Sequence, residues 1–468
     1  EAGRGQRPRL QLQWICVIFG DSSAQSAKGE QPMAKQKAGK LAILGGPKTV
    51  TRDAGDIFRW PIVTKEDEKA VLDVLRRGAM SGTDITKQFE KEFAEWMGMK
   101  FALGYCNGTE ALRAAMWACG VGAGDELICP SVTYWASCTA ALSLGAAVNF
   151  ADIDADTLCI DPKDIEHRIG KRTKAMVVVH YMGYPCDMDP IMKIARKHGV
   201  KVIEDVSHAH GGLYRGRKVG TLGDIAAMSM MSGKSFAIGE AGIMATNNRD
   251  LLERCIAYGH YERTGAQSNF NPLDKSVQNP ELNKYAGVPL GGFKHRMNQT
   301  CSAMGRVQLR HYDKRMKEIQ NGMNRFWDLL KGVPGIRAHR PPEGSRCTMG
   351  GWYAAHGLYR ADELGGLSCA KFAEAGRAEG VAGCYAGANF ALHLHPVFHE
   401  ADIFNMGRPT MISFGQRDVR QGKGTLPVSE RIADICYGIP WFKHDRPTII
   451  REYALAYRKV AESADQLK

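Results

Sequence analysis

The segment "AMVVVHYMGYPCDMDPIMKIARKHGVKVIED", Ala175 to Asp205, decides the fold. It opens and closes on short apolar runs, residues 175–180 and 200–205, and residues 190–198 between them have the length and composition of a helix. A strand, a helix and a second strand in this order form a parallel pair, because a crossover of this length returns the chain to the same edge of a sheet. The segment therefore predicts a parallel sheet covered by helices.

Five further apolar runs extend this pattern on both sides of the segment. Runs that are apolar on both faces are typical of strands buried inside an α/β protein, and a helix-length stretch such as Glu110 to Cys119 separates many of them. The fold class is therefore α/β, with a mostly parallel central sheet sandwiched by helices and catalytic groups expected at the carboxyl ends of the strands. The five runs are "FALGY" at 101, "ELICP" at 126, "AVNFADID" at 147, "DIAAMSM" at 224 and "GIMATN" at 242.

The chain is expected to divide into three parts. Residues 1–45 are predicted to be an amino-terminal extension, disordered or non-native, because Met33 opens a plausible true start. Residues 46–310 hold the strand and helix alternation and form a large α/β domain. Residues 311–468 are predicted to form a smaller α+β domain, since a long helical stretch from Ser302 to Leu330 and a Pro/Gly-rich passage follow the last predicted strand.

Composition limits the partners and the compartment. The 468 residues are 44% hydrophobic and 24% charged, as in a globular protein. The net charge of +12 comes without a basic block or the aromatic and basic motifs of a nucleic-acid reader, so no nucleic acid is expected. Thirteen cysteines are scattered without a C-x-x-C pair, which favours a reducing cytoplasm and no metal site. No stretch approaches the ~20 apolar residues of a membrane span, so no membrane partner is expected.

Three short motifs follow predicted strand ends and carry chemistry. Residues 107–109, Asn-Gly-Thr, form a small-residue turn that opens a helix, as in a phosphate cradle. Asp205 ends an apolar strand, and a carboxylate there is costly unless it meets a cation or a strong donor. Lys234 lies in a loop between two apolar strands, where loss of hydration favours an uncharged, nucleophilic amine. Each motif alone also fits a purely structural interpretation: residues 107–109 as a plain turn, Asp205 as a helix cap and Lys234 as a surface lysine.

Together the three motifs match the needs of one cofactor. Pyridoxal 5'-phosphate (PLP) needs a lysine for its aldehyde, an anion for its ring nitrogen, donors for its phosphate and an aromatic cover for its ring. A nucleotide-binding Rossmann protein is the rival interpretation, but the G-x-G-x-x-G motif is missing after the first strand. Lys234 supplies the amine and Asp205 the anion. The phosphate donors are Gly108, Thr109 and Ser229, and the aromatic cover is Tyr134.

With these residues in place, the sequence resembles the DegT/StrS-type sugar aminotransferases, which are PLP-dependent enzymes of fold type I. The resemblance runs from about Trp60 to Leu309 and more weakly to the end of the chain. Any one of the matching segments is a weak signal, whereas their order along the chain makes chance implausible. The segments are "NGTEAL", "VGAGDELICPSVTYWAS", "ADIDADTLCIDP", "RTKAMVVVHYMGYPCDMDPI", "KVIEDVSHAHGG", "GRKVGTLGDIAAMSM", "GKSFAIGEAG" and "FKHRMN".

The resemblance implies a role for each matching residue. Lys234 would be the internal aldimine lysine and general acid/base, Asp205 the partner of the pyridinium nitrogen, and His208 a neighbour of the phenolic oxygen. The residues that would hold the phosphate are Gly108, Thr109 and Ser229, and the one that would stack on the ring is Tyr134.

Further assignments concern the substrates and a second subunit. The family's usual asparagine, which reaches the other subunit's phosphate, is replaced by Lys294, which could make that contact as a point charge. A homodimer with shared active sites is implied. Arg296 is a candidate for binding the carboxylate of the amino donor, and His180 is a candidate on the substrate side, although a strand-end histidine is more often structural.

Three histidines in "LHLHPVFHE" alternate with other residues. This alternation of His393, His395 and His399 favours a strand of the small domain with side chains toward the substrate, and a metal is not expected.

The predicted activity is a PLP-dependent aminotransferase. It would move an amino group from glutamate or glutamine to a keto-cyclitol (scyllo-inosose-like) or keto-sugar by a ping-pong aldimine mechanism. A nucleotide-sugar aminotransferase and an aminohydroxybenzoate-synthase-like PLP enzyme stay open. A PLP-binding regulatory protein without turnover is the alternative of another class, and the presence of both Lys234 and Asp205 argues against it.

Overall fold

The computed structural model describes residues 39–264 and 276–468. Most of the predicted extension, residues 1–45, lies outside the described residues and stays a prediction there. Its last residues are described: Leu41 is buried, and the backbone N–H of Ala42 donates to Glu379 Oε1 at 2.8 Å. Leu41 and Ala42 therefore pack onto the folded chain, and the predicted end of the extension at residue 45 stays a prediction.

The described residues contain twelve strands, and every apolar run singled out in the sequence forms one of them. Seven of the twelve make up the central sheet, and their buried residues on both faces explain the continuous apolar runs. The strands are β1 (Phe101–Tyr105), β2 (Glu126–Pro130), β3 (Ala147–Ala151), β4 (Thr173–Val179), β5 (Lys201–Asp205), β6 (Leu213–Tyr214), β7 (Arg217–Lys218), β8 (Ile225–Ser229), β9 (Gly242–Thr246), β10 (Ile336–Ala338), β11 (His356–Tyr359) and β12 (Cys436–Gly438).

The central sheet has the order β1-β9-β8-β5-β4-β2-β3. Strands β3, β2, β4, β5 and β8 run parallel to one another, and β9 is antiparallel to both β8 and β1. The predicted mostly parallel sheet is confirmed. Because only β9 runs the other way, the carboxyl ends of the six remaining strands meet at one edge of the sheet together with the start of β9.

Helices flank the central sheet, and local capping explains several of their ends. Thr64 and Asp67 form the capping box that begins the first helix, and Gly199, with φ 67°, ends the sixth. The helices are α1 (Lys65–Arg76), α2 (Asp84–Met97), α3 (Gly108–Ala118), α4 (Ala140–Ser143), α5 (Pro162–Arg168), α6 (Met188–His198), α7 (Arg249–Gly259), α8 (Pro280–Asn283), α9 (Gln299–Leu329), α10 (Cys369–Ala378), α11 (Thr410–Ser413), α12 (Pro427–Glu430), α13 (Ile432–Ile435) and α14 (Pro447–Glu462).

The carboxyl-terminal third has a different architecture. Strands β10, β11 and β12 form a three-stranded antiparallel sheet, and helix α9 packs against α1, α2 and α14. The predicted long helix is confirmed. The predicted domain boundary at residue 310 falls inside this continuous helix and stays a prediction.

One local prediction in this part of the chain is wrong. His393, His395 and His399 lie in and beside two short 3₁₀ turns, Leu392–Leu394 and Pro396–Phe398, and not in a strand. The turns are fixed by side-chain contacts, since His399 Nε2 bonds to the carbonyl of His393 at 2.7 Å. Pro396 also lacks the N–H that a ladder of strands would use.

Candidate active site

A cavity of about 440 Å³ opens at the edge of the sheet where the strands end. It is lined by residues from the turns after β1, β2, β5 and β8 and by residues from beyond position 350. Seven of the ten residues selected from the sequence line it, from four separate segments of the chain. They are Gly108, Thr109, Tyr134, Asp205, His208, Ser229 and Lys234.

The amino terminus of α3 forms one end of the cavity. Asn107 caps the helix by accepting a hydrogen bond from the N–H of Glu110 at 2.9 Å. A Cβ on Gly108 would lie 2.6 Å from both Cα and Cβ of Ser229, so only glycine allows the helix to begin this close to β8. Backbone N–H groups and the Thr109 and Ser229 hydroxyls thus stand together where a helix terminus favours an anion.

Asp205 lies at the end of β5 and is buried. Ser137 Oγ donates to its Oδ2 at 2.8 Å, and the N–H of Ser207 donates to its Oδ1 at 3.0 Å. Thr133 Oγ1 contacts Ser137 Oγ at 3.0 Å and extends the chain of hydroxyls. Among the residues that the structure describes, no cation forms an ion pair with Asp205, so its charge is available to a cationic group inside the cavity.

Lys234 lies in the loop that joins β8 to β9, with 7% of its surface exposed. Burial lowers the pKa of its amine to about 8, and the negative charge of Asp205 opposes that shift. The Lys234 carbonyl accepts a hydrogen bond from Trp60 Nε1 at 2.8 Å. An appreciable fraction of this amine is therefore uncharged near neutral pH, as a nucleophile requires.

His208 is a neutral hydrogen-bond donor. Burial, together with the charge of Lys234, holds its pKa well below the ordinary value. Its Nδ1 accepts a hydrogen bond from the N–H of Met182 at 3.2 Å, which places the ring proton on Nε2. The ring lies between those of Tyr181 and Tyr353, at centroid distances of 5.6 and 4.8 Å.

Three of the selected residues do not line the cavity in this chain. His180 is fully buried, and its Nε2 lies 2.9 Å from Glu204 Oε2 while its Nδ1 accepts the N–H of Cys186 at 3.0 Å. Lys294 is exposed, and Arg296 forms an isolated bridge with Tyr105. His180 thus makes the buried hydrogen bonds of a structural histidine. The roles of Lys294 and Arg296 stay predictions.

Several lining residues were missed by the sequence analysis. Thr133 and Ser137 flank Tyr134 after β2, and their hydroxyls at a strand end were a usable signal. Tyr353 and Asn389 come from far along the chain, where no local pattern marks them. Asn389 is held by Tyr181, whose hydroxyl donates to its Oδ1 at 2.6 Å. The backbone N–H of Asn389 donates to the Tyr181 hydroxyl at 3.3 Å, whereas its side-chain nitrogen Nδ2 has no hydrogen-bond partner among the described residues.

The residues present fit PLP. A helix terminus with a required glycine faces a buried lysine and an unpaired carboxylate within one cavity, and these are the groups that a phosphate, an aldehyde and a ring nitrogen need. Tyr134 stands at the mouth with 48% of its surface exposed. Among the described residues, no group of three or more His, Cys, Asp or Glu side chains is placed to hold a metal ion.

The fold and the site define a PLP-dependent aminotransferase. A model of the DegT/DnrJ/EryC1/StrS aminotransferase family matches residues 61–407, and the chain belongs to this family. An aminotransferase from Psychrobacter cryohalolentis has a similar solved structure, with a TM-score of 0.71 and 27% identity over 85% of this chain and 97% of that one.

Two similar curated proteins carry names that point to different compounds. The L-glutamine:2-deoxy-scyllo-inosose aminotransferase of Streptomyces fradiae is 38% identical over 323 residues, which is 67% of this chain and 73% of that protein. The GDP-perosamine synthase of Caulobacter vibrioides is 38% identical over 230 residues, 49% of this chain and 57% of that protein.

Proposed function

We propose that this aminotransferase moves an amino group from glutamine or glutamate to a keto-cyclitol, with a keto-sugar as the nearest alternative acceptor. The observation that carries the reaction is the placement of Lys234 and Asp205 in one cavity, with burial lowering the pKa of the amine. The similarity to the Streptomyces fradiae enzyme over two thirds of this chain supports the cyclitol acceptor and the glutamine donor.

Bound PLP supplies an aldehyde and an electron-withdrawing ring next to the carbon that loses or gains a proton. Lys234 Nζ would hold that aldehyde covalently, and its free amine would carry the proton at the substrate carbon. Asp205 holds a proton on the ring nitrogen, because a buried carboxylate with two neutral donors stabilises a cation beside it. His208 presents its Nε2–H as a donor to an oxygen on the same ring.

We also propose a homodimer in which two chains share each active site. Lys294 is exposed and does not line its own chain's cavity, which is consistent with a contact to the partner's phosphate. Arg296 is proposed to bind the carboxylate of the amino donor. The twelve described cysteines are unpaired thiols, which supports the cytoplasm as the compartment.

The acceptor is tested by separating the two half-reactions. The enzyme is first converted to its amino form with glutamine or with glutamate, the donor is removed, and single ketones are then added while the visible absorbance of the cofactor is followed. We expect scyllo-inosose to restore the starting spectrum at micromolar to millimolar concentration. Restoration only by a nucleotide-linked keto-sugar would overturn the cyclitol assignment.

Two lysine variants complete the experiment. Lys234→Ala should bind the cofactor without the covalent bond and fail in both half-reactions. Lys218→Ala is the matched control, because burial also lowers the pKa of Lys218, but this residue lies in β7 and does not line the cavity. An equal loss of activity in both variants would contradict the assignment of the reaction to the cavity.

A further inference from the structure

Residues 350–354, Gly-Gly-Trp-Tyr-Ala, form a strained turn that reaches the active site from the carboxyl-terminal part of the chain. Trp352 and Ala354 have φ values of 56° and 55°, in the left-handed region that side chains other than glycine rarely adopt. Such residues persist only where the surrounding structure holds them, and they are frequent at functional sites. The residue between them is Tyr353.

The turn is fastened to the segment that carries Lys234. A Cβ on Gly351 would lie 2.2 Å from Cβ of Ser235, the residue after the lysine, so the turn packs against the Ser235 side chain at a distance that only glycine permits. Two side chains hold the turn from outside: Gln320 Nε2 donates to the Gly350 carbonyl at 3.0 Å, and Trp441 Nε1 donates to the Gly351 carbonyl at 3.1 Å.

The strain places an aromatic face under the reactive amine. Lys234 Nζ lies 4.1 Å from the centre of the Tyr353 ring. The same ring contacts His208 at a centroid distance of 4.8 Å, and Trp441 meets it edge-on at 5.7 Å. The ring is thus fixed on three sides, and its face is turned toward a nitrogen that alternates between covalent bond, free amine and ammonium.

We propose that Tyr353 is a positioning residue whose ring face holds Lys234 Nζ whenever that nitrogen is not covalently bound. When the free amine takes the proton from the substrate carbon, the electron pair of the C–H bond stays on the substrate and Nζ becomes an ammonium. An aromatic face attracts an ammonium and attracts a neutral amine far less. Tyr353 therefore retains the proton carrier beside the carbon that must receive the proton back.

Other groups around Lys234 act on its charge as well. Asp205 favours the ammonium, and Glu240 lines the same cavity with a carboxylate. His208 and His210 are kept neutral, because burial lowers the pKa of both imidazoles far below their ordinary value. Tyr353→Phe keeps the ring contact to His208, so it is the variant that preserves the surroundings of these groups.

The test measures the titration of Lys234 in the cofactor-free protein. An amine-reactive reagent is applied over a range of pH, and the modified peptide is quantified by mass spectrometry. Tyr353→Phe keeps the aromatic face and should keep the wild-type midpoint. Tyr353→Leu removes the face and should move the midpoint down by about 1 pH unit, which makes labelling below both midpoints about tenfold faster.

Lys218 provides an internal reference in the same sample, because its Nζ also lies 4.1 Å from an aromatic centre, that of Trp96. Its midpoint should be the same in all variants. Phenylalanines with one, two or three ring fluorines at position 353 keep the shape of the ring and weaken the attraction of its face for an ammonium. They replace the leucine variant in the experiment if that variant does not fold. The Lys234 midpoint should fall in the order of fluorine content.

A second readout comes from the loaded enzyme. In the half-reaction with glutamine, Tyr353→Leu should lower the rate constant at saturating donor more than it raises the donor concentration for half-maximal rate, and Tyr353→Phe should restore the rate. A Lys234 midpoint that is unchanged in the leucine variant or the fluorinated series would overturn the proposal, while the assignment of Lys234 itself would stand.

Discussion

Two adjacent carboxylates at the end of β5 have opposite environments. Glu204 Oε1 accepts the N–H groups of Leu222 and Gly223 at 2.7 and 2.5 Å, and its Oε2 accepts that of Gly220 at 2.6 Å as well as the imidazole of His180. Asp205 has two donors and faces the cavity. Because side chains alternate along a strand, one carboxylate fastens the fold and its neighbour lines the cavity.

Replacing Glu204 should cost stability. Glu204→Gln puts an amide where three backbone N–H groups and a histidine converge, so a donor meets donors in a fully buried site. We expect the free energy of unfolding to fall by on the order of 3 kcal/mol, measured by denaturant titration. Glu166→Gln, on the exposed surface, is the control and should change it little.

Wild type and Glu204→Gln should also differ in how the free energy of unfolding depends on pH. Burial opposes ionisation of Glu204, but His180 and the N–H groups of Gly223 and Gly220 hold its pKa below the ordinary value of 4.5. Its stabilising effect is present above pH 4.5 and is lost as the pH falls through the lower, folded-state value. The stability difference between wild type and Glu204→Gln should shrink in that acid range; a constant difference would contradict the assignment.

Asn389 offers a test of acceptor binding. Asn389→Asp keeps an oxygen for the Tyr181 hydroxyl but removes the N–H₂ donor next to the cavity. If that donor binds a hydroxyl of the acceptor, the KM for the ketone should rise about tenfold, which corresponds to one lost hydrogen bond, while the glutamine half-reaction stays unchanged. Asn321→Asp, exposed on α9, is the control. An equal effect on both half-reactions would contradict an acceptor-specific contact.

At the scale of elements, the contact between α3 and β8 sets the end of the cavity that is proposed to hold the phosphate. Gly108→Ala would force the helix away from Ser229, because its Cβ meets backbone atoms that cannot rotate aside. We expect a cost of about 1 to 3 kcal/mol in stability and a loss of affinity for PLP and for inorganic phosphate, measured by equilibrium dialysis. Gly122→Ala, whose Cβ would meet only Asp125 Oδ2 at 3.8 Å, should leave both unchanged.

Elements differ in how far the sequence determines them. All seven strands of the central sheet were predictable, because a stretch buried on both faces must be apolar, as residues 175–179 of β4 are. The turns at His393 and His399 were mispredicted, since alternation over a few residues does not separate a strand from contacts made by individual side chains. Tyr353 was unpredictable for a related reason: its neighbour Lys234 is more than a hundred positions away, and only tertiary packing joins them.

At the scale of the whole molecule, shared active sites can be tested with mixed dimers. Lys234→Ala should be inactive, and Lys294→Ala should bind PLP weakly if Lys294 serves the partner's phosphate. A hybrid of the two variants then contains one intact site, built from Lys234 of one chain and Lys294 of the other. Mixing equal amounts after reversible dissociation should restore about a quarter of the wild-type sites, by random pairing in a two-fold dimer.

The control for the mixed dimers uses two variants that both lack Lys234. Lys234→Ala mixed with a chain that carries both Lys234→Ala and Lys294→Ala should stay inactive. Sites confined to one chain would give no recovery in either mixture, because each hybrid would still combine one defective site with another. No helix among the described residues is both long and apolar enough to cross a membrane.

The reversed direction of β9 has a consequence for the timing of catalysis. The Lys234 loop is closed on both sides, since the N–H of Met230 bonds to the Ala241 carbonyl at 2.8 Å and that of Ile238 bonds to the Met230 carbonyl at 3.0 Å. These amides should exchange with deuterium as slowly as those of the sheet itself, because they are released only when β8 and β9 separate. The reactive nitrogen then moves by rotating its own side chain, on a far shorter timescale than any backbone opening.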